Sequence, residues 1–350
     1  MISVRNILEQ ANVTTSAPCR IDTGGTWDIK AMALPFESMG PVTVNIAIDL
    51  RTYVTLTPFD DGYIKVSSSG FKASEIFSAE NIPLNTEYAL FFAAVLWFGF
   101  HGIAIKIESS SPVRAALGGS STALVALVKG LSEIDCRLSK KGMSPEEILY
   151  LSFQIEDAVS GGNCGMQDHA AATFGNANRW TWHYGRYGTL WDRKPLLDTE
   201  GLKELSEHIL VVYSGKTHVS AETNRRWTEQ FLSGLTREDW IKANRTVAEF
   251  ADAICKHDWD MAGSLMNKEM EIRRNITPEA LIPATTILTD QAKEAGCGAR
   301  FAGAGAGGCV WAIGNNIKIL KKTWEKTIDS LKEARILDCN PDPSGVKREK

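Results

Sequence analysis

Four groups of residues in this 350-residue chain have the types and spacing to act on phosphate and hydroxyl groups. The first is Ala116-Leu117-Gly118-Gly119-Ser120-Ser121, between a strand-like segment and a helical run that begins at Thr122. Glycines let successive backbone N–H groups converge, and a helix N-terminus adds partial positive charge, so such a loop can hold a polyphosphate. A serine hydroxyl at the helix start can also bind the Mg²⁺ that travels with ATP. The same residues also read as a tight turn with a serine N-cap, and they form neither G-K-[ST] nor G-x-G-x-x-G. The second group, Gly303-Ala-Gly-Ala-Gly-Gly308, leaves its backbone bare. That suits a ligand, a closely approaching chain or a hairpin turn.

The third group is Glu156 with Asp168, at the end of one predicted helix and the start of the next. Phosphoryl transfer needs one carboxylate on the metal and another beside the acceptor hydroxyl; an exposed helix glutamate and an N-cap aspartate are the plain alternatives. The fourth is Ala17-Pro-Cys-Arg20 with Asp22 and Thr23-Gly-Gly-Thr-Trp-Asp28. This is a turn that presents polar groups to a hydroxylated ligand, or an ordinary loop with a surface arginine.

The elements that must position these residues are those of an α+β chain. Val42–Ile48 and Thr52–Thr57 alternate as strands, and Asp60-Asp61-Gly62 before Tyr63–Val66 signals a hairpin. Tyr88–Phe100 is apolar but too short to cross a bilayer, so it reads as a buried helix. Gly102–Glu108 is a strand leading to the first glycine loop. Ser144-Pro-Glu-Glu147 is a capping box opening a helix to about Val159. Short strands follow over 176–200, then a strand at 208–213 and amphipathic helices over 221–275. Two further helices, near 279–295 and 316–334, flank a strand–glycine turn–strand at 299–313. The polar tail from Asn340 is expected to fray. The chain divides into two halves, 1–200 and 201–345, with the boundary near 195–207.

A net charge of −4 argues against nucleic acid or an anionic membrane as partner. Seven scattered cysteines without a C-x-x-C pair suit a reducing compartment, and the N-terminus has no apolar signal core, so the cytoplasm is the expected location.

Taken in order, these pieces resemble the GHMP kinases (galactokinase, homoserine kinase, mevalonate kinase, phosphomevalonate kinase). Ala17-Pro-Cys-Arg20 is similar to the first family motif, A-P-[GALS]-R. Ala116–Ser121, preceded by Pro112, is similar to the second, G-L-G-S-S-[AS], and Arg300–Gly308 to the third, K-[IL]-[ST]-G-A-G-x-G-G. Gly24-Gly25-Thr26-Trp27-Asp28, Ile155-Glu156 and Gly165-Met-Gln-Asp-His169 resemble the branch of heptose phosphate kinases and fucokinases. The sequence departs from the family pattern at Cys19, Arg114, Ala116, Gly119, Thr26-Trp27 and His169. The galactokinase signature G-E-H-x-D is absent, which counts against galactose.

The resemblance implies a two-domain fold, with a ribosomal-S-five-like N-terminal domain and a ferredoxin-like C-terminal domain, and ATP between the two glycine loops. It makes Asp168 the group beside the acceptor hydroxyl and Arg20 its partner, keeping Asp168 ionised. Ser120 and Glu156 would hold Mg²⁺. Pro112, Arg114, Ala116, Leu117, Gly118, Gly119, Ser120 and Ser121, with Gly303, Gly305 and Gly307, would surround the ATP phosphates. Asp22, Gly25, Thr26, Asp28 and Gln167 would bind the acceptor. The implied function is a kinase for a sugar or sugar phosphate. A kinase for a non-sugar alcohol such as mevalonate, or a non-catalytic ligand-binding protein of the same fold, are the alternatives. The oligomeric state stays open, a homodimer included.

Overall fold

The computed structural model of the chain describes residues 1–350 apart from 25, 26, 72, 140, 218 and 219, and only the backbone of 220–222. Two sheets organise it. In the first, Val13–Asp22 and Val42–Pro58 pair antiparallel from Val13 opposite Leu56 to Asp22 opposite Asn45. The register shifts between Pro18 and Cys19, where proline has no N–H to give the ladder. Because side chains alternate between faces, that shift decides which face Arg20 occupies. The segments expected as two strands at 42–48 and 52–57 form one continuous strand. Helix Gly119–Ser139 lies across this sheet and closes one core, with Val54, Leu56, Ile103 and Ile105 packed under Leu124, Leu127 and Val128.

The turn at Asp60–Gly62 is present, but its flanking strands are not neighbours. Ile103–Ser109 lies between them, antiparallel to the long strand and parallel to Tyr63–Ser68. Turn chemistry reverses the chain locally, whereas burial of Ile103, Ile105 and Ile107 chooses the pairing. The short strands Ala177–Trp182 and Trp191–Pro195 extend the sheet at the Val42 end.

The chain passes to the second sheet between Pro195 and Ile209. This sheet is antiparallel, with spatial order Gly298–Phe301, Cys309–Ile313, Ile209–Tyr213 and Arg335–Leu337. Helices Trp259–Ile276, Pro283–Glu294 and Ile317–Ile328 pack against it. Helix Arg237–Cys255 bridges back to the first sheet, where the Asn244 side chain accepts from Val42 N–H at 2.8 Å and donates to the Gly40 carbonyl at 3.1 Å. Among the described residues no helix is long and apolar enough to cross a membrane.

The tail does not fray as the sequence suggested. Lys347–Arg348 pairs with Thr15–Ser16 on the edge of the first sheet. Buried Arg51 reaches Asp342 at 2.5 Å, the carbonyls of Ser344 and Gly345, and Ser16. The polar composition looked solvent-exposed because the partner of Asp342 lies far away in sequence. Removing one member of a buried ion pair leaves the other uncompensated, so Arg51→Ala is expected to destabilise the protein by about 3 kcal/mol. Urea unfolding checks this; a midpoint equal to wild type would show that the tail is not held by Arg51.

Candidate active site

Arg20 stands near the inner end of its strand, and Asp168 in the first turn of helix Gln167–Phe174. Nε and Nη2 of Arg20 both lie 2.8 Å from Oδ1 of Asp168, and Nη1 donates to the Ala116 carbonyl at 2.5 Å. One guanidinium therefore joins the acidic helix to the first glycine loop. Burial pushes the Asp168 carboxyl above its ordinary range; Arg20 and His169 pull it down, Glu156 and Asp22 push it up, and the net direction is upward. Arg20 thus opposes protonation of Asp168 without overcoming burial.

The loop is built for close approach. Arg114 and Ala116 have φ of 54° and 62°, in the left-handed region, and Gly118 has φ 77°. A Cβ on Gly118 would sit 3.0 Å from the Asp168 carboxyl carbon, so glycine lets the loop lie against the acid. Helix Gly119–Ser139 begins immediately after, with first-turn N–H groups that have no intrahelical acceptors. The second glycine loop packs on the first. Cys309 N–H donates to the Ala115 carbonyl at 2.9 Å, and a Cβ on Gly308 would come within 2.6 Å of that oxygen.

A cleft of about 410 Å³ opens between these loops. It is lined by Pro112, Arg114, Ala116, Leu117, Gly118, Gly119, Ser120 and Ser121, and by Arg20, Asp28, Glu156, Gln167, Asp168 and Gly303. Three expected residues lie elsewhere. Gly305 packs on Ala280 and Gly307 on the Thr217 carbonyl. Asp22 is fully buried, with its carboxylate taken by Arg300 at 2.5 Å and by Gly303 N–H at 2.7 Å. Burial pushes Asp22 up, but Arg300 and Arg20 outweigh it and hold the carboxyl low. It links the two sheets and presents nothing to the cleft. Gly25 and Thr26 lie outside the described residues. Trp27 is core, its indole N–H on the Trp240 carbonyl at 3.0 Å.

Asp28 is buried, with Oδ2 accepting from Gln167 N–H at 3.0 Å and Oδ1 without a hydrogen-bond partner. Burial, reinforced by the charges of Asp168 and Asp22, pushes its carboxyl up to about 7. Glu156 lies 2.7 Å from Nε2 of buried His169, and its carboxylate also takes a hydrogen bond from Ser121. Burial pushes Glu156 up, yet His169 reverses the direction and holds it low. Ser120, by contrast, is exposed at the cleft edge. Glu156, Cys164 and His169 present ligand atoms within 4.8 Å of one another, but thiol and imidazole suit a softer ion than Mg²⁺, for which the fitting donors are the oxygens of Glu156 and the neighbouring serines.

Sequence reasoning missed the apolar wall of the cleft, Phe71, Leu90, Phe91 and Val113, whose spacing reads only as core. It also missed Arg273, on helix Trp259–Ile276, whose side chain reaches the cleft from the far sheet. Nothing in an amphipathic helix marks one arginine as buried.

Residues 86–176 match the family model of the GHMP kinases N terminal domain, and 250–328 that of the GHMP kinases C terminal domain. A mevalonate kinase of Pyrococcus abyssi is 27% identical over 86% of this chain and 88% of its own length. The solved D-glycero-D-manno-heptose 1-phosphate kinase of B. thetaiotaomicron superimposes with TM-score 0.71 at 17% identity, covering 97% of this chain and 99% of that one. Lactococcus lactis galactokinase, solved with galactose, superimposes with TM-score 0.70 at 17% identity over 98% of each chain. Matched in both halves and sharing the fold from end to end, the chain belongs to the GHMP kinase family.

Proposed function

We propose that this chain is an ATP-dependent kinase that transfers the γ-phosphoryl group to a hydroxyl of a sugar or sugar phosphate. The observation that carries the reading is the Arg20–Asp168 contact placed directly beside Gly118. A carboxylate that can take the acceptor's proton and a guanidinium that can meet developing phosphoryl charge stand together at a polyphosphate-binding loop. We assign residues 1–200 and 201–345 as the two domains, and the free cysteines fit a cytoplasmic setting.

The phosphates would lie on Gly118, Gly119, Ser120 and Ser121, with Arg114 at the edge and Gly303 behind; Phe71, Leu90 and Phe91 suit a purine ring. Glu156 with Ser120 or Ser121 would hold Mg²⁺, which when bound neutralises charge on the phosphates. Asp168 takes the hydroxyl proton while Arg20 keeps its carboxylate aimed. Asp28 and Gln167 bind acceptor hydroxyls, and the unpartnered Oδ1 of Asp28 supports that role. A second reading, a non-sugar alcohol acceptor, is favoured by the mevalonate kinase relative at 27% identity. An ADP-release assay over hexoses, deoxyhexoses, heptoses, their phosphates and mevalonate tests both; no release with any of them would overturn the kinase reading.

Asp168→Asn is expected to cut turnover about 10²–10⁴-fold with ATP affinity near wild type; unchanged turnover would remove Asp168 from the reaction. Glu156→Gln is expected to raise the Mg²⁺ needed for half-maximal rate at least about tenfold, and an unchanged Mg²⁺ titration would exclude it as a ligand. For Asp28, the folded protein holds a proton up to about pH 7 against an ordinary 3.8. The stability this confers is complete below the ordinary value and is lost as pH rises through about 7. Asp28→Asn removes that loss. Its stability relative to wild type is therefore expected to rise between pH 4 and 8 by about 4 kcal/mol. Melting curves at both pH values check this, and a constant difference would contradict it.

A further inference from the structure

Arg273 is 1% exposed, yet its side chain borders the same cleft as Asp28 and Asp168. Its guanidinium is stacked among aromatic rings, 4.1 Å from the centre of Trp227, 4.4 Å from Trp240 and 5.3 Å from Phe301. Stacking occupies the faces of the group and leaves its in-plane N–H donors to find acceptors. Two of these, Nε and Nη1, are buried without a hydrogen-bond partner among the described residues. The nearest carboxylate, Glu269, stands 3.9 Å away and is shared with Arg300 at 3.4 Å, both beyond a good hydrogen bond. Burial pushes the Arg273 guanidinium down to about 9, which leaves it charged at neutral pH and short of a counter-ion.

A buried, charged donor set on a side chain that lines a cleft, with too few acceptors of its own, is matched by a ligand oxyanion. A neutral hydroxyl would satisfy one N–H and leave the charge unmet. Asp28 Oδ1 is a second orphan on the same cleft, buried without a hydrogen-bond partner among the described residues. We infer that Arg273 is a specificity-determining residue that pairs with an anionic group of the acceptor, a carboxylate or a phosphate ester. The substrate is then a hydroxylated anion and not a free neutral sugar. The inference rests on the kinase reading for the word acceptor, but it is tested by binding as well as turnover.

The test uses the full chain with saturating ADP, so that the phosphate loop is filled. Isothermal titration calorimetry compares D-glycero-D-manno-heptose, its 1-phosphate, mannonate and mevalonate on wild type, Arg273→Gln and Arg273→Lys. The expected result is that at least one anionic compound binds wild type at least about tenfold tighter than the neutral heptose. That preference disappears in Arg273→Gln and is partly kept in Arg273→Lys, which retains charge without the planar fork. The phosphate and carboxylate arms identify which oxyanion the site takes. For the preferred compound, KM in Arg273→Gln rises by at least the same factor while KM for ATP stays near wild type.

Equal binding of neutral and anionic compounds to wild type, binding of none of them, or a preference that survives in Arg273→Gln would overturn the inference. If Arg273→Gln does not fold, Arg273→Lys decides: a preference for the anion undiminished from wild type overturns it, and a reduced one supports it. An Arg273-dependent preference without ADP release from any compound would sink the kinase reading and leave the anion site standing.

Discussion

The contact on which the rest of the structure depends is the buried ion pair between Asp22 and Arg300. Asp22 ends the inner strand of the first sheet, and Arg300 lies in the edge strand of the second. Nη1 of Arg300 donates to the Asp22 carboxylate and, at 2.6 Å, to its carbonyl, while the Trp311 indole N–H donates to that same carbonyl at 2.9 Å. The pair therefore fixes the two sheets in angle as well as in distance. Arg20 is two positions before Asp22, and Gly303 is three after Arg300. The geometry of the cleft is thus set by a link that never faces it. A buried pair of this kind repays its desolvation only with good geometry and further hydrogen bonds, and both are present here.

Rigidity on the other side comes from the tail. Val346 N–H donates to the Thr173 carbonyl at 3.2 Å, and Asn176 N–H to the Asp342 carbonyl at 2.7 Å. Helix Gln167–Phe174, which carries Asp168, is thereby pinned by the last residues of the chain. An acid proposed to meet a hydroxyl within hydrogen-bond reach would gain from a helix so held. The tail thus supports the cleft although none of its residues lines it.

What was legible in the sequence followed from local rules. The capping box at Ser144 and Glu147 formed as read, because both of its hydrogen bonds close within one turn. The two glycine loops stood out because small residues in a row have few uses, and their mutual contact shows the close backbone approach that bare glycine allows. The strand insertion of Ile103–Ser109, the role of Asp22 and the docking of the tail were not legible. Each depends on a partner distant in sequence, and an aspartate in a polar motif looks the same whether it meets a ligand or an arginine. Gly305 and Gly307 misled for a related reason: a bare backbone can serve another backbone as readily as a phosphate.

The charges of the cleft also impose a direction on whatever binds there. Asp28 and Asp168 line it, and burial pushes both carboxyls up. The carboxylates on the first-sheet side, Asp28, Asp168 and Glu156, call for hydroxyl donors and a cation. Arg273, approaching from the second sheet, calls for an acceptor. These demands are opposite in sign and arise on opposite sheets, so a single molecule that satisfies both must lie across the cleft with its hydroxyl end toward Asp168. That orientation is the one the proposed phosphoryl transfer would require, since its reacting hydroxyl would face the loop of Gly118 and not the aromatic stack around Arg273.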